Sequence, residues 1–346
     1  MERVLIVGST AELGRTEEVY SRGFAANGSK VCNFSWKTAA PILCSSKLSD
    51  KVVRKLGAPW IVYQANQTLI EVASKFKPTL TFVVAPNLVL PNTIEQLRQH
   101  GLAFVFFTDN PLDGHHTHSN AWVEGGLSLW DATFIWSKEL VNALMNRGVQ
   151  KAIFHAFCSD TAYHFPQKNK SVIHDVVFIG NWDDSGKRER FLASITDYRL
   201  GLWGSSDWNT RCQVKALHGR SSGMCSYEEI PEIMGSAHIG LNILRPQNEI
   251  GHNIRTFEIP ACGTLMLSER SAGLLNLFAE DKEAVYFSTP EEVAQKVRYL
   301  LSNPAIMRDI SEAGFQRAIT HKIVDRVEEI TQIYSDLKKN ELVCLA

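Results

Sequence analysis

The sequence predicts an α/β protein made of two tandem, doubly wound domains with parallel sheets. At 346 residues the chain is longer than a single hydrophobic core usually serves. Short apolar runs alternate with helical patterns along both halves, as in repeated strand–helix–strand units. The polar, proline-containing segment PQKNKS interrupts this alternation and predicts an interdomain linker. We therefore expect domains at 1–165 and 172–320, followed by a C-terminal helix within 321–346 that packs back on the first domain.

The first half begins with the apolar run VLIVGS, which starts at Val4 and ends on a glycine. Together with a helix at about 16–26 and a strand near 31–34, this run forms a βαβ unit. The same alternation continues to Asn146. Its further predicted elements are strands at 79–86, 103–109 and 131–137, a helix at 91–100 and a helix that ends at about 146.

The second half repeats this pattern after the linker. Its predicted elements are strands at 175–182, 198–204, 238–244, 263–269 and 284–289, and helices at 290–301, 304–320 and about 322–337. Doubly wound sheets place ligands beyond the carboxyl ends of their strands. We therefore expect the functional residues to line an interdomain cleft.

Composition excludes several classes of function. The formal net charge of -1 provides no global field that would attract nucleic acid or an acidic membrane. The seven cysteines are scattered without a CxxC pair, which argues against a disulfide framework or a structural zinc site and favours a reducing, cytoplasmic location. The first apolar run is too short for a signal peptide, and no run is long enough to predict a transmembrane segment.

The segment HNIRTFEIPACGTLML, at 252–267, carries the most specific signal. It predicts a short helix whose free N–H groups suit an anion and whose carboxylate, Glu258, can accept hydrogen bonds from a ribose diol. This combination suits a nucleotide diphosphate. The alternative is an amphipathic helix that packs Ile254 and Phe257 on a core and leaves Glu258 solvated.

A second candidate is FIGNWDDSGKRERF, at 178–191, where a strand ends at Gly180 and leads into a basic helix. Lys187 and Arg188 can neutralise a diphosphate leaving group, because lysine supplies a compact charge and arginine a bidentate one. The alternative is a solvated helix surface on which Glu189 and nearby aspartates pair with these cations.

Asp109 and His116 come directly after a predicted strand of the first half, in FFTDNPLDGHHTH. Reactive groups often occupy this position in doubly wound domains, so we expect one of the two to contact substrate. A metal site is the competing interpretation, but no second ligand cluster with metal-binding spacing appears, and we predict no metal. A solvated loop with a local aspartate turn also explains the pattern.

Two further loops have local explanations. Ser226 and Glu229 have the spacing of a capping box, while the ring of Tyr227 could frame a nucleotide base. Gly8 and Gly14 flank the first strand-to-helix turn without the glycine triplet of a dinucleotide fingerprint. An NAD site is therefore not expected.

The C-terminal half resembles the CgeB-like, spore-maturation group of glycosyltransferases, which are related to the retaining families with the GT-B fold. The resemblance rests on a long run of segments: FIGNW followed by Lys187 and Arg188, WGSSDW, SYEEIPEIMGSAHIGLNILR, HNIRTFEIPACGTLML and MRDISEAGFQRAITHK. FVFFTDNP and WDATFIWSKELVNALMNRG extend it into the first half.

This resemblance implies a GT-B fold of two Rossmann-like domains and a role for each candidate. Glu258 would bind the ribose of a nucleotide-diphosphate sugar, with His252, Asn253 and Arg255 near the diphosphate. The donor would be UDP-, GDP- or dTDP-linked, no further cofactor would be needed, and the acceptor would be a glycan, a protein or a small molecule. The reaction implied is metal-independent and retaining.

One departure from the related families concerns their E-x7-E pair. Ile250 stands eight residues before Glu258, and Glu249 is one place out of register. Two alternatives to sugar transfer therefore stay open: a nucleotide-sugar epimerase of the same fold, and a non-catalytic subunit that binds a nucleotide sugar.

Overall fold

The computed structural model describes residues 2–8, 16–44, 48–114, 119–167 and 171–344. The chain divides into two compact units, Met1–Ala156 together with Ile323–Ala346, and Phe157–Lys322. We call them the N-terminal unit and the C-terminal unit. The first crossing between them, after Ala156, lies upstream of the proline-containing segment at 166–171.

A parallel sheet forms the centre of the N-terminal unit. Among the described residues its strands are β1 (Arg3–Gly8), β2 (Lys30–Ser35), β3 (Leu80–Val84), β4 (Leu102–Phe107), β5 (Ala132–Ile135) and β6 (Ala152–Phe154). They lie in the order β2-β1-β3-β4-β5-β6. Strands β3, β4 and β5 are buried at every position, as expected of a parallel sheet covered on both faces.

Helices connect these strands. They are α1 (Thr16–Ala26), α2 (Trp36–Ala39), α3 (Pro41–Cys44), α4 (Leu48–Phe76), α5 (Pro91–Arg98), α6 (Ala121–Gly126) and α7 (Lys138–Met145). The long helix α4 is absent from the elements predicted from the sequence. It contains Pro59, a residue type that usually interrupts a helix, and its apolar residues follow only a weak helical periodicity.

The C-terminal unit contains a second parallel sheet. Among the described residues its strands are β7 (His174–Ile179), β8 (Leu200–Trp203), β9 (Ala237–Asn242), β10 (Leu265–Glu269) and β11 (Val285–Phe287). Their order is β11-β10-β9-β7-β8, so successive connections run to opposite sides of β7. The topological switch point therefore lies between β7 and β9.

The helices of the C-terminal unit complete its core. They are α8 (Lys187–Ala193), α9 (Asp207–Thr210), α10 (Ile230–Gly235), α11 (Arg255–Ala261), α12 (Ala272–Leu275), α13 (Pro290–Ser302) and α14 (Pro304–Ala318). Phe178 of β7 and Leu241 of β9 pack with Trp208 of α9 in one buried cluster. Both predicted parallel sheets are thus confirmed.

The last helix, α15 (Ile323–Cys344), returns to the N-terminal unit and packs against α1. The two helices approach closely at Gly23, where an added Cβ would lie 2.7 Å from Ile323 Cγ1 and 2.8 Å from Val327 Cγ2. No helix of the described residues is long and apolar enough to span a membrane.

A buried hydrogen-bond network also holds α15 in the N-terminal unit. The imidazole of His155 is 2.6 Å from the Tyr20 hydroxyl of α1 and 3.2 Å from the Glu329 carboxylate of α15. Arg326 donates to the carbonyl of Ala156 at 3.0 Å and to Glu329 at 3.0 Å. The C-terminal helix is thereby bonded to the residues at which the chain leaves this unit.

Candidate functional site

The candidate site lies at the carboxyl ends of β7 and β9, the switch point at which doubly wound sheets bind ligands. We call the space between these two strand ends the β7/β9 crevice. Gly180 follows β7 directly, and there is no room for a side chain there. An added Cβ would lie 2.6 Å from Cζ of Phe178 and 3.4 Å from Nη1 of Arg188. Because Gly180 has no side chain, the guanidinium group of Arg188 can lie close to the end of the strand.

Arg188 bridges the two strand ends. Its Nη1 donates to the carbonyl of Asn181 at 2.6 Å, and its Nη2 donates to the carbonyl of Ile243 at 3.1 Å. Burial, followed by the positive charge of Arg245, lowers the pKa of Arg188 to about 10. The Asp183 carboxylate, 3.4 Å from Nε, acts in the opposite direction without offsetting the burial. The folded protein therefore holds this charge at a cost.

Arg255 reaches the same crevice from the first turn of α11. Its Nε donates to the carbonyl of Ile179 at 3.2 Å, and its Nη1 donates to Oε2 of Glu258 one turn along the helix. Burial lowers the pKa of Arg255 as well. Glu258 is only 2% exposed, so the alternative interpretation of a solvated surface carboxylate is wrong.

Asn253 and His252 precede α11 and hold its start in place. The Asn253 side chain accepts from the Thr256 N–H at 3.2 Å, which caps the helix, and donates to Asn242 of β9 at 2.9 Å. The His252 ring is fully buried, and its Nε2 accepts from the Phe157 N–H at 3.2 Å. With this hydrogen bond and its complete burial, His252 acts through packing and position.

Lys187 lies between two carboxylates. Its Nζ is 2.7 Å from Oε1 of Glu249 and 2.7 Å from Oε1 of Glu269. Burial raises the pKa of Glu269, whose other oxygen accepts from the Leu244 N–H at 3.0 Å. In this structure, therefore, the charge of Lys187 is compensated by protein carboxylates.

Arg245 is the cation that the sequence analysis missed. It follows β9 by three residues, is half-buried, and lies close enough to Arg188 to lower the pKa of that group. Within the described part of the chain, no carboxylate forms an ion pair with it. The signal was present in the sequence, because Arg245 directly follows the buried run HIGLNIL at a strand's carboxyl end.

The loop before α10 supplies Ser226 and Tyr227. The Ser226 N–H donates to the Glu229 carboxylate at 2.6 Å, which is the backward arm of the predicted capping box and lowers the pKa of Glu229. The Tyr227 hydroxyl donates to Asp160 at 2.9 Å. Its ring lies 4.6 Å from that of His164, whose Nε2 is 3.9 Å from Oε1 of Glu258.

The two candidates of the first half belong to the N-terminal unit. Asp109 follows β4 and is half-buried, while the neighbouring Asn110 forms the local turn by accepting from the Leu112 N–H at 2.9 Å. His116 lies outside the described residues. In the parts of the chain that are described, no three His, Cys, Asp or Glu side chains are grouped as metal ligands.

Comparison with solved structures identifies both units as those of the GT-B fold. Sucrose-phosphate synthase from Thermosynechococcus elongatus has 14% identity, a TM-score of 0.74, and coverage of 98% of this chain and 100% of that chain. HepE from Anabaena, in complex with UDP-glucose, has 11% identity and a TM-score of 0.68, with coverage of 97% and 100%. A glycosyltransferase from Rickettsia africae has 12% identity and a TM-score of 0.66, with coverage of 98% and 99%.

A search of the curated proteins gave no match. The sequence of residues 187–332, however, matches the model of a family described as glycosyl transferase-like. This match begins at Lys187 and contains Arg188, Arg245, Arg255 and Glu258. The three arginines of the crevice and Glu258 therefore lie within the glycosyl transferase-like region of the chain.

Proposed function

We propose that this protein is a glycosyltransferase that moves a sugar from a nucleotide-diphosphate sugar to an acceptor hydroxyl. The observation that carries the proposal is the convergence of Arg188, Arg245 and Arg255 on the β7/β9 crevice beside the buried Glu258. The glycosyl transferase-like match and the UDP-glucose complex of HepE support it.

The arginines suit a diphosphate because they repel one another. Burial and the charges of Arg245 and Arg255 all lower the pKa of Arg188. An anion bound between the three guanidinium groups would remove this unfavourable electrostatic energy. Each guanidinium also keeps N–H donors that its protein contacts leave unused, since arginine has five.

Glu258 suits a ribose diol because Arg255 orients its carboxylate and leaves hydrogen-bond acceptor sites on it for a ligand. The two oxygens offer about four lone-pair sites, and Arg255 occupies one of them through Oε2. The remaining sites can accept from two vicinal hydroxyl groups. The 223–227 loop would then frame the base, with the Tyr227 ring as an apolar wall.

In the reaction, the arginines would stabilise the negative charge that develops on the departing diphosphate, a role that a divalent cation has in other enzymes. The donor's own phosphate would accept the proton of the acceptor hydroxyl, and the sugar would keep its anomeric configuration. Asp109 or His116 would orient the acceptor. Lys187 would hold Glu249 and Glu269 at the edge of the crevice.

A donor panel tests the proposal. Purified protein is incubated with UDP-, GDP- and dTDP-linked hexoses, with and without cell extract as acceptor, and release of the nucleoside diphosphate is measured. We expect release that depends on extract, and loss of at least 90% of it in Glu258→Gln, because an amide cannot accept both diol hydrogen bonds; this is about 1.4 kcal/mol or more of transition-state stabilisation. Glu232→Gln, at an exposed position on α10, is the matched control.

The other outcomes separate the alternatives. An altered nucleotide sugar or free sugar formed without extract indicates an epimerase, and binding without turnover of any donor indicates a non-catalytic subunit. NMR of the product then reads the anomeric configuration. An inverted product contradicts the retaining mechanism while leaving the transfer intact.

A further inference from the structure

We propose that His164 is a positioning residue that sets the Glu258 carboxylate for a ribose diol, and thereby makes the site prefer a nucleotide with both ribose hydroxyl groups over one that lacks them. This inference rests on the proposed nucleotide-sugar function. It concerns a short segment at the start of the C-terminal unit to which the sequence patterns assigned no role.

His164 contacts the carboxylate on the side opposite Arg255. Its Nε2 lies 3.9 Å from Oε1 of Glu258, while Arg255 bonds Oε2. Both His164 and Glu258 are almost fully buried, with exposures of 1% and 2%. The carboxylate therefore has a hydrogen bond at Oε2 and the imidazole as a neighbour at Oε1, and both restrict its rotation.

A bracket of three contacts surrounds His164: one with its ring, one that orients Tyr227 and one with its backbone. Its ring meets that of Tyr227 edge-on, with centroids 4.6 Å apart. The Tyr227 hydroxyl donates to the Asp160 carboxylate at 2.9 Å, and the backbone N–H of His164 donates to the Asp160 carbonyl at 2.7 Å. The bracket thus joins the entry segment of the unit, the loop before α10 and the carboxylate of α11.

The orientation of the carboxylate matters because both hydroxyl groups of a diol can donate to it only within a narrow range of angles. Two vicinal hydroxyl groups must both point at acceptors, and charge-assisted hydrogen bonds weaken steeply when they are misaligned. A carboxylate free to rotate would still attract cations, but it would distinguish a ribose from a sugar without hydroxyl groups less well. His164 therefore acts on selectivity through Glu258, without touching the base or the phosphates.

The test compares two ligands in one titration series. The probes are whichever of UDP and GDP binds more tightly and its 2′,3′-dideoxy analogue, and the readout is the ratio of their Kd values by isothermal titration calorimetry. We expect the wild type to prefer the ribonucleotide by about tenfold or more, the equivalent of charge-assisted hydrogen bonds to the diol. In His164→Phe we expect the ratio to approach one, with the Kd of the dideoxy analogue unchanged within about twofold.

Further variants keep the test decisive. His164→Gln keeps a polar side chain beside Oε1 of Glu258 and is expected to keep most of the preference. Tyr227→Phe removes the hydrogen bond to Asp160 and should lower the preference by about threefold. His238→Phe, at the amino end of β9, is the matched control. If His164→Phe does not fold, as judged by circular dichroism, the ratio in Tyr227→Phe decides.

The contradicting results are distinct. An unchanged ratio in His164→Phe, or an equal loss of affinity for both probes, overturns the positioning role and leaves the proposed function standing. A wild type that binds neither nucleotide overturns both.

Discussion

Replacing Arg188 with methionine tests whether the buried guanidinium is retained for an anion or for the fold. Two energies oppose each other in the absence of ligand. The drop in the pKa of Arg188 from 12.5 to about 10 corresponds to about 3 kcal/mol that the folded protein spends on holding the charge, and methionine removes this cost. The same substitution leaves the carbonyls of Asn181 and Ile243 unpaired, at about 1–3 kcal/mol each.

These terms nearly cancel. We expect Arg188→Met to lower the free energy of unfolding by no more than about 3 kcal/mol, whereas removing one partner of a stabilising buried ion pair costs about 3–5 kcal/mol. Urea denaturation monitored by tryptophan fluorescence measures the change. Arg190→Met, at an exposed position on the same helix, is the matched control and should change stability by less than about 0.5 kcal/mol.

Arg188→Met should also weaken the stabilisation of the protein by a nucleoside diphosphate. Saturating nucleoside diphosphate should raise the Tm of the wild type and of Arg190→Met, because ligand binds only the folded protein. It should raise the Tm of Arg188→Met much less. A loss of stability above about 5 kcal/mol without ligand would show that Arg188 is primarily structural, and an undiminished ligand-induced rise in Tm would show that it does not contact the diphosphate.

Three further predictions follow from the geometry. Gly180→Ala should weaken nucleotide binding by about tenfold in calorimetry, because its Cβ would collide with Phe178 and displace Arg188; unchanged affinity contradicts this. The free energy of unfolding should fall as the pH drops from 6.5 towards 5, because burial lowers the pKa of His155 and the unfolded chain then binds the proton more readily. His155→Gln should reduce this pH dependence in urea denaturation, and an unaltered slope would refute the prediction. Sugar transfer should survive treatment with EDTA within about twofold, since guanidinium groups stabilise the leaving group, and loss restored by a divalent cation contradicts a metal-independent reaction.

The fold was predictable because its dominant signals are local. Buried parallel strands appear as short apolar runs, and each of the runs at VLIVGS, AFVFFTD and HIGLNIL became a strand of one of the two sheets. Helix α4 was not predictable in this way, since Pro59 and a weak apolar periodicity conceal it. Its position between β2 and β3 is set by tertiary packing rather than by local propensity.

The candidate site was predictable only in part. The end of a predicted strand pointed to Gly180 and Arg188, because doubly wound sheets bind ligands beyond their strand ends. The short helix after 252 pointed to Glu258. Whether a lysine or arginine is available to a ligand depends on its distance from carboxylates elsewhere in the fold. The spacing of residues in the sequence does not give these distances. Lys187 is compensated by two carboxylates, one of them 62 residues away, whereas Arg245 carries no ion pair among the described residues.

The contact between His164 and Glu258 was hidden for the same reason. These residues are far apart in the chain, and a lone histidine near a proline-containing segment carries no recognisable spacing. The structure alone brings the entry segment of the C-terminal unit against α11. Long-range pairing of this kind is the part of a site that pattern analysis cannot supply.

Calorimetric titration of nucleoside diphosphates into wild type, Arg245→Met and Glu258→Gln tests the central claim most directly. We predict one nucleotide bound per chain, with affinity reduced at least about tenfold by either substitution, because each removes a charge-assisted hydrogen bond to the diphosphate or the ribose. Nucleotide binding that neither substitution weakens, or no binding by the wild type, would contradict the assignment of the β7/β9 crevice.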